Sequence, residues 1–432
     1  MPIWPYPSGP VAETMKQVVI VGGGFAGLQA ARRLGGARDV AVTLVDRYNH
    51  HVFQPLLYQV AMAELSPADI AVPLRGVLSR YANVRVYQGR VDAVDLQTQR
   101  VTAAFGELAY DYLLLACGAS HTYFGHNEWE PLAPGLKTLE QAREIRRRVL
   151  NAYEAAECIR DVERQRQLLT FVIVGGGATG VELAGAIAEM GRFTLVRDFR
   201  NIQPALTRVL LVEAGTRLLP ALPPELSAYA AHALAQLGVE VLTGTPVTSV
   251  SSSGVQLGER QILADTVLWA AGVQASPLGQ GLGVKTDRQG RVIVNPDLSI
   301  PGHAEVFVAG DLAHFAQPTG RMLPGIAAVA KQQGQYVART ILADLAGRPH
   351  EPFRYLDMGQ LATIGHNRAV AQLGGLKLRG RPAWVLWVFV HIYYLIDYRA
   401  RILVMLQWAW TYFSHRRGAR LILDKPEAPA DG

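Results

Sequence analysis

The sequence predicts an α/β fold built from two parallel-sheet units and a helical C-terminal region. Two stretches, VVIVGGGFAG at 18–27 and FVIVGGGATG at 171–180, repeat one pattern of four apolar residues, a glycine triplet and a fourth glycine. Each is followed by a helix-like segment and then by an apolar run that ends in an acid. Near the end of the chain, residues 384–413 hold two apolar, aromatic runs separated by DYRAR.

Length and composition limit the class of protein. A chain of 432 residues, half of them apolar, suggests two to three domains with sizeable cores. The net charge of +6 is compatible with an anionic membrane, an anionic cofactor or nucleic acid and does not distinguish them. The two cysteines, Cys117 and Cys158, form no C-x-x-C pair, and we expect two reduced thiols in the cytosol. Prolines interrupt the apolar core that a signal peptide would need, so residues 1–13 are predicted to be a disordered lead-in and no export is expected.

The first glycine stretch has the spacing of a dinucleotide-binding turn. In a strand–G-x-G-x-x-G–helix unit, the first glycine makes the tight turn, the second admits the pyrophosphate, and the third lets helix and strand pack closely. Here these glycines are Gly22, Gly24 and Gly27. The next strand, VAVTLVD, ends in Asp46, near the spacing of about 20 residues at which a carboxylate binds a ribose diol.

The second glycine stretch repeats this unit with Gly175, Gly177 and Gly180. The strand RVLLVE ends in Glu213, further along than expected, because residues 191–207 are inserted between helix and strand. A carboxylate accepts from a ribose 2′-OH and repels a 2′-phosphate, so Glu213 favours NADH over NADPH. The nearby Arg217 argues in the other direction. One such motif could be a simple glycine-rich turn, but two complete copies indicate two dinucleotide sites, both of Rossmann type.

Three further apolar strands end in glycine-bearing turns: YLLLACGAS at 112–120, VLWAAGVQAS at 267–276 and VFVAGDLAHF at 306–315. With them, the chain resembles the two-dinucleotide flavoproteins of pyridine nucleotide–disulfide reductase type. The resemblance implies that the first Rossmann unit and the late Gly-Asp strand hold FAD, while the second unit holds NAD(P)H. Asp311 would then meet the ribityl and pyrophosphate region of the flavin. Its plainer interpretation is a helix N-cap.

This resemblance implies a domain order in which the NADH domain is inserted into the FAD domain. We expect an FAD-binding domain at 14–120 and 285–345 and an NADH-binding domain at 121–284. A C-terminal strand and helix region at 346–432 is expected to associate with a membrane.

The electron acceptor is suggested by what surrounds the expected flavin domain. Disulfide reduction and cysteine-dependent sulfide oxidation are disfavoured, because Cys117 and Cys158 lie in a strand-end turn and a charged helical run without a cysteine nearby in sequence. The two C-terminal runs, 384–396 and 402–413, would form helices of roughly 20 Å, too short for a bilayer core of about 30 Å. Flanking arginines and four tryptophans are typical of helices that lie in the membrane interface. A buried helix pair or a dimer interface is the alternative, and a membrane position would point to a quinone.

Several longer stretches resemble the type II NADH:quinone oxidoreductases. They include DRYNHHVFQPLLYQVAMAELSPADIAVPLR at 46–75, GGGATGVELAGAIAEM, LVEAGTRLLP, VFVAGDLA, and the tail from GRPAWVLWVFVH to WAWTYFSHRRGARLI. The resemblance implies a single-chain, monotopic FAD enzyme that oxidises NADH and reduces a membrane quinone without pumping protons. It also implies a peripheral position on the cytoplasmic face of the cell membrane, no nucleic-acid partner, and a homodimer.

The resemblance assigns catalytic roles to two residues. Glu182 matches a family glutamate at the nicotinamide–flavin junction that is linked to proton delivery or gating; its plainer role is a first-turn acid complementing the helix dipole. Gln332 matches a family glutamine near flavin and quinone, and could equally be a surface polar residue. Ala328 stands where the family often has Gln, and Met358 where it often has Lys, which bears on the quinone contacts.

The complete set of predicted cofactor residues follows from the motifs and the resemblance. For FAD they are Gly22, Gly24, Phe25, Ala26, Gly27, Asp46, Arg47, Gln54, Ala116, Gly118, Gly310 and Asp311. For NADH they are Gly175, Gly177, Gly180, Glu213, Ala271 and Gly272. No metal site is expected. Two other functions fit the motifs: a soluble NADH-dependent flavoprotein reductase of a small redox protein, and a redox-sensing or scaffold flavoprotein.

Overall fold

A computed structural model describes residues 15–317, 320–396, 398–414 and 418–422, with the side chains of 412–414 excepted. The predicted lead-in, 1–13, lies outside these residues. The chain forms two compact units. The first unit comprises Met1–His51, Val72–Ser120 and Val273–Leu356. The second unit comprises Val52–Ala71, His121–Gly272 and Asp357–Gly432.

The units differ from the domains expected from the sequence in three segments, 52–71, 273–284 and 346–356, and the expected C-terminal region from Asp357 onward belongs to the second unit. Residues 52–71 belong to the second unit, because the buried Arg146 guanidinium donates to the Val60 and Leu65 carbonyls at 2.8 and 2.9 Å. Residues 273–284 belong to the first unit, because Ala275 and Leu282 lie in its apolar core. Contacts between residues that are distant in the chain place 52–71 and 273–284, and the motif spacing carries no information about them.

The α-helices of the described residues have the following bounds: α1 Phe25–Leu34, α2 Leu57–Ala61, α3 Pro67–Ile70, α4 Leu74–Leu78, α5 Leu139–Cys158, α6 Val162–Leu168, α7 Ala178–Glu189, α8 Pro224–Gln236, α9 Ala327–Leu345, α10 Arg381–Tyr394 and α11 Tyr398–Ser414. The strands have the following bounds: β1 Lys16–Val21, β2 Val40–Asp46, β3 His50–Val52, β4 Ala71–Pro73, β5 Val84–Gln88, β6 Val91–Asp95, β7 Arg100–Ala103, β8 Gly106–Ala109, β9 Tyr112–Leu115, β10 Ala119–His121, β11 Thr170–Val174, β12 Arg208–Val212, β13 Val239–Leu242, β14 Ser249–Ser251, β15 Gly254–Leu257, β16 Arg260–Leu263, β17 Thr266–Trp269, β18 Val273–Ala275, β19 Val292–Ile293, β20 Ser299–Ile300, β21 His303–Val308, β22 Ala313–His314, β23 Gln360–Thr363, β24 Ala369–Leu373 and β25 Leu376–Gly380.

The first unit is organised by a six-stranded sheet in the order β20-β21-β9-β1-β2-β5. Its β21, β9, β1, β2 and β5 pair in parallel, and β20 is antiparallel. Strand β1 is central and buried, as its apolar run predicts. The helices α1 and α9 pack against each other, and Gly334 of α9 lies directly on the Ala26 main chain. A three-stranded antiparallel sheet, β6-β7-β8, belongs to the same unit.

The second unit contains a four-stranded parallel sheet in the order β13-β12-β11-β17, with α7 following the buried β11. Helix α7 ends at Glu189 and continues as a π-helical turn, Met190–Thr194. The insertion 191–207 predicted between helix and strand therefore lies between α7 and β12. Two antiparallel sheets, β14-β15-β16 and β23-β24-β25, complete the unit together with α10 and α11.

The predicted fold class is thus confirmed: two parallel sheets, each with a glycine turn, and a C-terminal region of strands and two helices. The run 384–396 covers most of α10 and the two residues after it, and the run 402–413 lies within α11. Across the residues that the structure describes, none of the helices combines the length and the hydropathy required to cross a bilayer.

Candidate functional site

The first glycine turn has a geometry that only glycine permits at two positions. Gly22 has a φ of +108°, and a Cβ there would lie 2.3 Å from the Ala116 carbonyl oxygen. A Cβ on Gly27 would lie 1.8 Å from the Gly22 carbonyl oxygen, so the helix can approach the strand only without it. Gly24 has no atom within 4 Å of the position of a Cβ, so the space beside it is open. Close packing around an open space is what a bound pyrophosphate requires.

Asp46 braces this turn from the end of β2. Its carboxylate accepts from the main-chain N–H groups of Gly23 at 2.5 Å and Tyr48 at 2.7 Å. Burial raises the pKa of Asp46, and the two main-chain hydrogen bonds oppose that rise. Arg47 is exposed, with its guanidinium 4.9 Å from the Tyr48 ring centre. Asp46 is therefore a structural brace of the turn as well as the predicted ribose acceptor.

His51 packs against the same glycine turn, although the sequence motifs assign it no role. It is 2% exposed, its Nδ1 is 2.9 Å from the Gly23 carbonyl oxygen, and its ring meets Phe25 edge to face at 4.9 Å. Burial lowers its pKa to about 4, so the ring is neutral. Because a carbonyl can only accept, Nδ1 carries the proton and Nε2 is an acceptor. This buried Nε2 has no hydrogen-bond partner among the described residues.

The late Gly-Asp strand end is held by a residue that the sequence did not single out. Gly310 has a φ of +72°, and its N–H donates at 2.7 Å to the side-chain oxygen of Gln333, which is 1% exposed. Asp311 follows in a 3-10 turn, with its carboxylate close to Gly325. Gly118, at φ +69°, turns the chain after β9. Helix α9 carries two adjacent glutamines, Gln332 and Gln333, and the helical period turns Gln333 toward the interior of the protein.

These features fit a bound FAD in the first unit. The turn offers open space at Gly24 and closed packing at Gly22 and Gly27. Two polar groups, the Asp46 carboxylate and the unpartnered Nε2 of His51, could accept from hydroxyl groups of the cofactor.

The second glycine turn repeats the first in detail. Gly175 has a φ of +111°, and a Cβ there would lie 2.6 Å from the main chain of Ala270 and Ala271. A Cβ on Gly180 would lie 1.8 Å from the Gly175 carbonyl oxygen, and Gly177 again faces open space. Gly272 has a φ of +73°, and a Cβ there would meet the Phe124 and Thr122 side chains.

Glu213 braces this second turn as Asp46 braces the first. Its two carboxylate oxygens accept from the N–H groups of Gly176 at 2.5 Å and Gly215 at 2.6 Å. Arg217, which the sequence left as an argument for NADPH, has its guanidinium committed to Leu222 O, Ser227 Oγ and Pro220 O at 2.6, 2.8 and 2.7 Å. An arginine bound in this way does not offer its fork to a 2′-phosphate, so the geometry favours NADH.

Glu182 lies on α7, two residues after the last glycine of the second glycine turn. Burial raises the pKa of its carboxyl to about 8, opposed only in part by a hydrogen bond from the Thr363 N–H. The carboxyl group is enclosed by protein, although the residue keeps part of its surface accessible. At neutral pH it is therefore mainly protonated, and it can give up a proton near physiological pH.

The segment 52–71 is joined to the C-terminal helices by buried polar contacts. The Gln59 amide donates to the Tyr58 hydroxyl at 3.0 Å and accepts from the Trp408 Nε1 at 2.8 Å. Burial raises the pKa of Tyr58 well above its usual value, and the neighbouring Glu182 raises it further. Motif analysis did not assign Tyr58, Gln59 or Arg146, because only the tertiary fold shows that these polar side chains point inward.

The remaining predicted residues make ordinary structural contacts. Gln54 is exposed and donates to the Lys137 carbonyl at 3.3 Å. Gln332 exchanges two hydrogen bonds of 2.9 Å with the main chain of Leu356. Ala328 is half-buried on α9. Met358 is 43% exposed before β23.

The cysteines give no sign of redox chemistry. Burial raises the pKa of the Cys117 thiol to about 12, which keeps it protonated and unreactive. Cys158 is exposed at the end of α5. Among the described residues, no group of three or more His, Cys, Asp or Glu side chains could hold a metal ion.

Comparison with known families matches almost the whole chain. Residues 16–334 match the pyridine nucleotide-disulphide oxidoreductase family, and residues 358–417 match the NDH2 C-terminal domain. The type II NADH:quinone oxidoreductase Ndh of Mycobacterium tuberculosis (strain ATCC 25618 / H37Rv) is 43% identical over 425 residues, which is 95% of this chain and 90% of that protein. The chain belongs to the type II NADH:quinone oxidoreductase family.

Other relatives are less similar to this chain. The type II NADH:quinone oxidoreductase of Staphylococcus haemolyticus (strain JCSC1435) is 30% identical over 86% of this chain and 93% of that protein. The demethylphylloquinone reductase NdbB of Synechocystis sp. is 31% identical over 92% of this chain and 96% of that protein. The structure of NDH2 from Plasmodium falciparum in complex with NADH has the same fold, with a TM-score of 0.85, 19% identity, and coverage of 95% of this chain and 100% of that chain. The resemblance drawn from the sequence is thereby confirmed.

Within this family framework, the C-terminal helices present an apolar outer face. Large apolar side chains are exposed on α10 and α11, among them Phe389 at 68%, Tyr393 at 70%, Leu406 at 62% and Trp410 at 66%. The four tryptophans do not act alike: Trp387 is 2% exposed and stacks on His391, whereas Trp410 faces outward. Trp387 therefore belongs to the interior of the protein, and Trp410 belongs to the exposed face.

Proposed function

We propose that this chain oxidises NADH through bound FAD and passes two electrons to a quinone at a membrane surface, without moving protons across the membrane. The net reaction is NADH + H⁺ + quinone → NAD⁺ + quinol. FAD as the cofactor and NADH as the substrate follow from the family. The observation that carries the proposal is the pair of complete glycine turns combined with a carboxyl, Glu182, whose pKa lies close to physiological pH.

In this proposal the first unit holds FAD. Gly22, Gly24 and Gly27 admit its pyrophosphate, Asp46 and the Nε2 of His51 accept from its hydroxyl groups, and Gly310–Asp311 approach it from the end of β21. FAD, when bound, supplies the acceptor for the hydride of NADH. Of the remaining residues predicted for FAD, Gln54 belongs to the second unit, and the others belong to the first: Phe25, Ala26, Arg47, Ala116 and Gly118.

The second unit holds NADH. Its pyrophosphate would meet the N-terminus of α7 beside Gly177, and the Glu213 carboxylate would accept from the ribose 2′-OH. A 2′-phosphate would meet that carboxylate with like charge, and no arginine fork is offered to it. We therefore expect a strong preference for NADH.

Glu182 serves as a proton donor and acceptor in this scheme. Because burial holds its pKa at about 8, the neutral acid does not repel the phosphates of NADH at pH 7. The same pKa allows the group to release its proton when the quinone is reduced and to regain it from solvent. The alternative role as a first-turn acid does not apply, because Glu182 is the fifth residue of α7 and the first turn of this helix holds no acid.

The C-terminal region provides the membrane contact. The exposed apolar side chains of α10 and α11, flanked by arginines, suit the headgroup region of a bilayer. A position on the cytoplasmic face follows from the supply of NADH. The same apolar face would also suit a second copy of the chain, so light scattering in detergent is the measurement for the expected homodimer. Gln332, which orders Leu356 after α9, is our candidate for the quinone side, with Ala328 as a difference from the family pattern.

The decisive experiment is stopped-flow absorbance of the purified protein in detergent. NADH should bleach the flavin within the time of one turnover. A ubiquinone or a menaquinone analogue, added next, should restore the flavin absorbance. The protein should also float with liposomes, and variants with Phe389 and Trp410 changed to Ser should not. Bleaching without recovery by either quinone would refute the quinone as acceptor; flotation of the double variant would refute the role of α10 and α11.

A further inference from the structure

One face of α7 is held by the turn between β23 and β24. Glu182, Gly185 and Glu189 share this face, and Glu182 and Glu189 are about 10 Å apart along the helix axis. The turn contributes Thr363 at the end of β23 and the following residues Gly365 and His366. All these residues belong to the second unit, and β23 and β24 belong to its C-terminal part.

The turn contacts α7 at three successive points. At the first point the Thr363 main-chain N–H approaches the Glu182 carboxyl group and opposes the rise in its pKa. A Cβ on Gly185 would be 3.2 Å from the Gly365 nitrogen, so the turn rests directly on the helix backbone. At the third point, Glu189 Oε1 accepts from the His366 N–H at 2.5 Å, and its Oε2 lies 3.1 Å from the His366 Nδ1.

Burial of the Glu189 carboxylate costs free energy unless its contact with the turn compensates for the lost water. It is 6% exposed and lies at the end of α7, directly before the π-helical turn Met190–Thr194. A buried carboxylate is tolerated only when hydrogen bonds replace its water. His366 supplies both bonds, one from the main chain and one from the ring. Gly365, at φ +85°, leaves the room that these bonds need, because a Cβ there would be 2.4 Å from Glu189 Oε1.

We propose that Glu189 and His366 are positioning residues for Glu182. Their contact holds the β23–β24 turn on α7, so that the Thr363 N–H stays on the Glu182 carboxyl group and water stays out. The inference rests on the proposed function of Glu182 and extends it. It gives the C-terminal sheet a role in the NADH-oxidising half of the reaction, in addition to the membrane contact of the helices that follow it.

The charged and titratable groups around this contact are few among the described residues. Segment 52–71 contributes Tyr58 and Glu64, and the electrostatic influence of Glu182, Glu64 and Glu189 reaches the Tyr58 hydroxyl. The turn contributes His366 and Arg368, whose guanidinium donates to the Ala233 carbonyl of α8 at 3.3 Å, and α7 contributes the two glutamates. Release of the turn would admit water to Glu182 and remove the burial that is the main cause of its raised pKa.

The test follows the protonation of Glu182 itself in the FAD-loaded protein. Infrared difference spectra against pH report the C=O stretch of a protonated carboxyl, assigned to Glu182 by its loss in Glu182→Gln. In Glu189→Ala the midpoint should fall by about one pH unit or more, a tenfold change in proton affinity. His366→Ala should give a smaller fall, since the main-chain N–H remains. Glu189→Gln, whose amide oxygen still accepts from that N–H, should retain most of the wild-type midpoint.

A matched control removes another contact between the β23-β24-β25 sheet and a helix of the second unit. Lys377 on β25 pairs with Glu225 on α8, and both side chains are exposed. Lys377→Gln should leave the midpoint unchanged. If Glu189→Ala fails to fold by circular dichroism, Gly185→Ala replaces it, because its Cβ pushes the turn away by a few tenths of an ångström without removing either bond.

The outcomes separate this inference from the proposed function. A natively folded Glu189→Ala, or Gly185→Ala in its place, with the wild-type midpoint overturns the positioning role. A midpoint shift in Lys377→Gln as large as in Glu189→Ala also overturns it, since any loosening would then suffice. Failure of quinones to reoxidise the wild-type flavin would refute the proposed function only, because the Glu182 midpoint needs neither NADH nor quinone.

Discussion

The two glycine turns of this chain are nearly the same structure in different surroundings. Gly22 and Gly175 have φ of +108° and +111°, and a Cβ on Gly27 or Gly180 would in each case lie 1.8 Å from the carbonyl oxygen of the turn. In both, a carboxylate at the end of the next strand accepts from the middle glycine at 2.5 Å.

The two units differ in the helix that follows each glycine turn. The residue seven positions after Gly22 is Gln29, and the residue seven positions after Gly175 is Glu182. Gln29 is half-buried beside α9 and accepts from Gln335 at 3.2 Å, a neutral and exposed contact. Glu182 is covered by the β23–β24 turn, and burial raises its pKa to about 8. In the proposed scheme, the same turn serves a bound cofactor in one unit and, in the other, a substrate beside a carboxyl group that exchanges a proton.

The largest effect is expected at the glycines that touch backbone. Gly27→Ala should prevent FAD incorporation, and Gly180→Ala should abolish reduction of the flavin by NADH while FAD is retained. In each case a methyl group would occupy the place of a carbonyl oxygen, which requires the helix to move away from the strand. Flavin content and stopped-flow bleaching measure the two losses. Normal FAD content in Gly27→Ala would show that the turn is not the flavin site.

The next effect distinguishes binding from folding. Gly24 and Gly177 face open space and have extended backbones, so alanine at either position should leave the fold intact. The methyl group would nevertheless meet the pyrophosphate. We expect affinity for FAD to fall in Gly24→Ala, and the KM for NADH to rise in Gly177→Ala, each on the order of 100-fold. Unchanged binding of both ligands would contradict the assignment of the turns.

A smaller effect concerns the two bracing carboxylates. Glu213→Gln removes the charge that faces a 2′-phosphate, so the ratio of kcat/KM for NADH to that for NADPH should fall roughly tenfold. Asp46→Asn, the matched change in the first unit, should leave that ratio unchanged and lower FAD retention. Equal effects of both variants on the nucleotide ratio would remove the distinction between the units.

The smallest effect is the dependence of stability on pH at Glu182. Its folded pKa, about 8, lies above the ordinary value of 4.5, so between these pH values the folded state holds a proton that the unfolded state has released. The free energy of unfolding of the wild type should therefore decrease as pH rises through this window, relative to Glu182→Gln. Urea unfolding at pH 5, 6.5 and 8 checks this. Parallel curves for both proteins would mean that the carboxyl is solvated, whereas Gln29→Glu should produce no comparable slope.

Much of the fold and part of the site could be predicted from the sequence. The glycine turns, the acids that end β2 and β12, and the apolar helices at the C-terminus are local patterns, since backbone geometry and hydrophobic period act over a few residues. The family resemblance added Glu182. The roles of Gln332, Gln54 and Asp311 stay predictions, and their observed contacts are to neighbouring main chain or turns.

The sequence by itself determined that the chain carries two glycine turns and two short apolar helices, because each of these depends on adjacent residues. Only the tertiary structure decided which polar side chains are turned inward. It places Gln333 beneath Gly310, commits Arg217 to loop carbonyls, buries Trp387 while exposing Trp410, and brings Thr363 and His366 to α7. Burial and long-range hydrogen bonding set the pKa of a carboxyl and the freedom of a guanidinium, and both depend on residues far away in the chain.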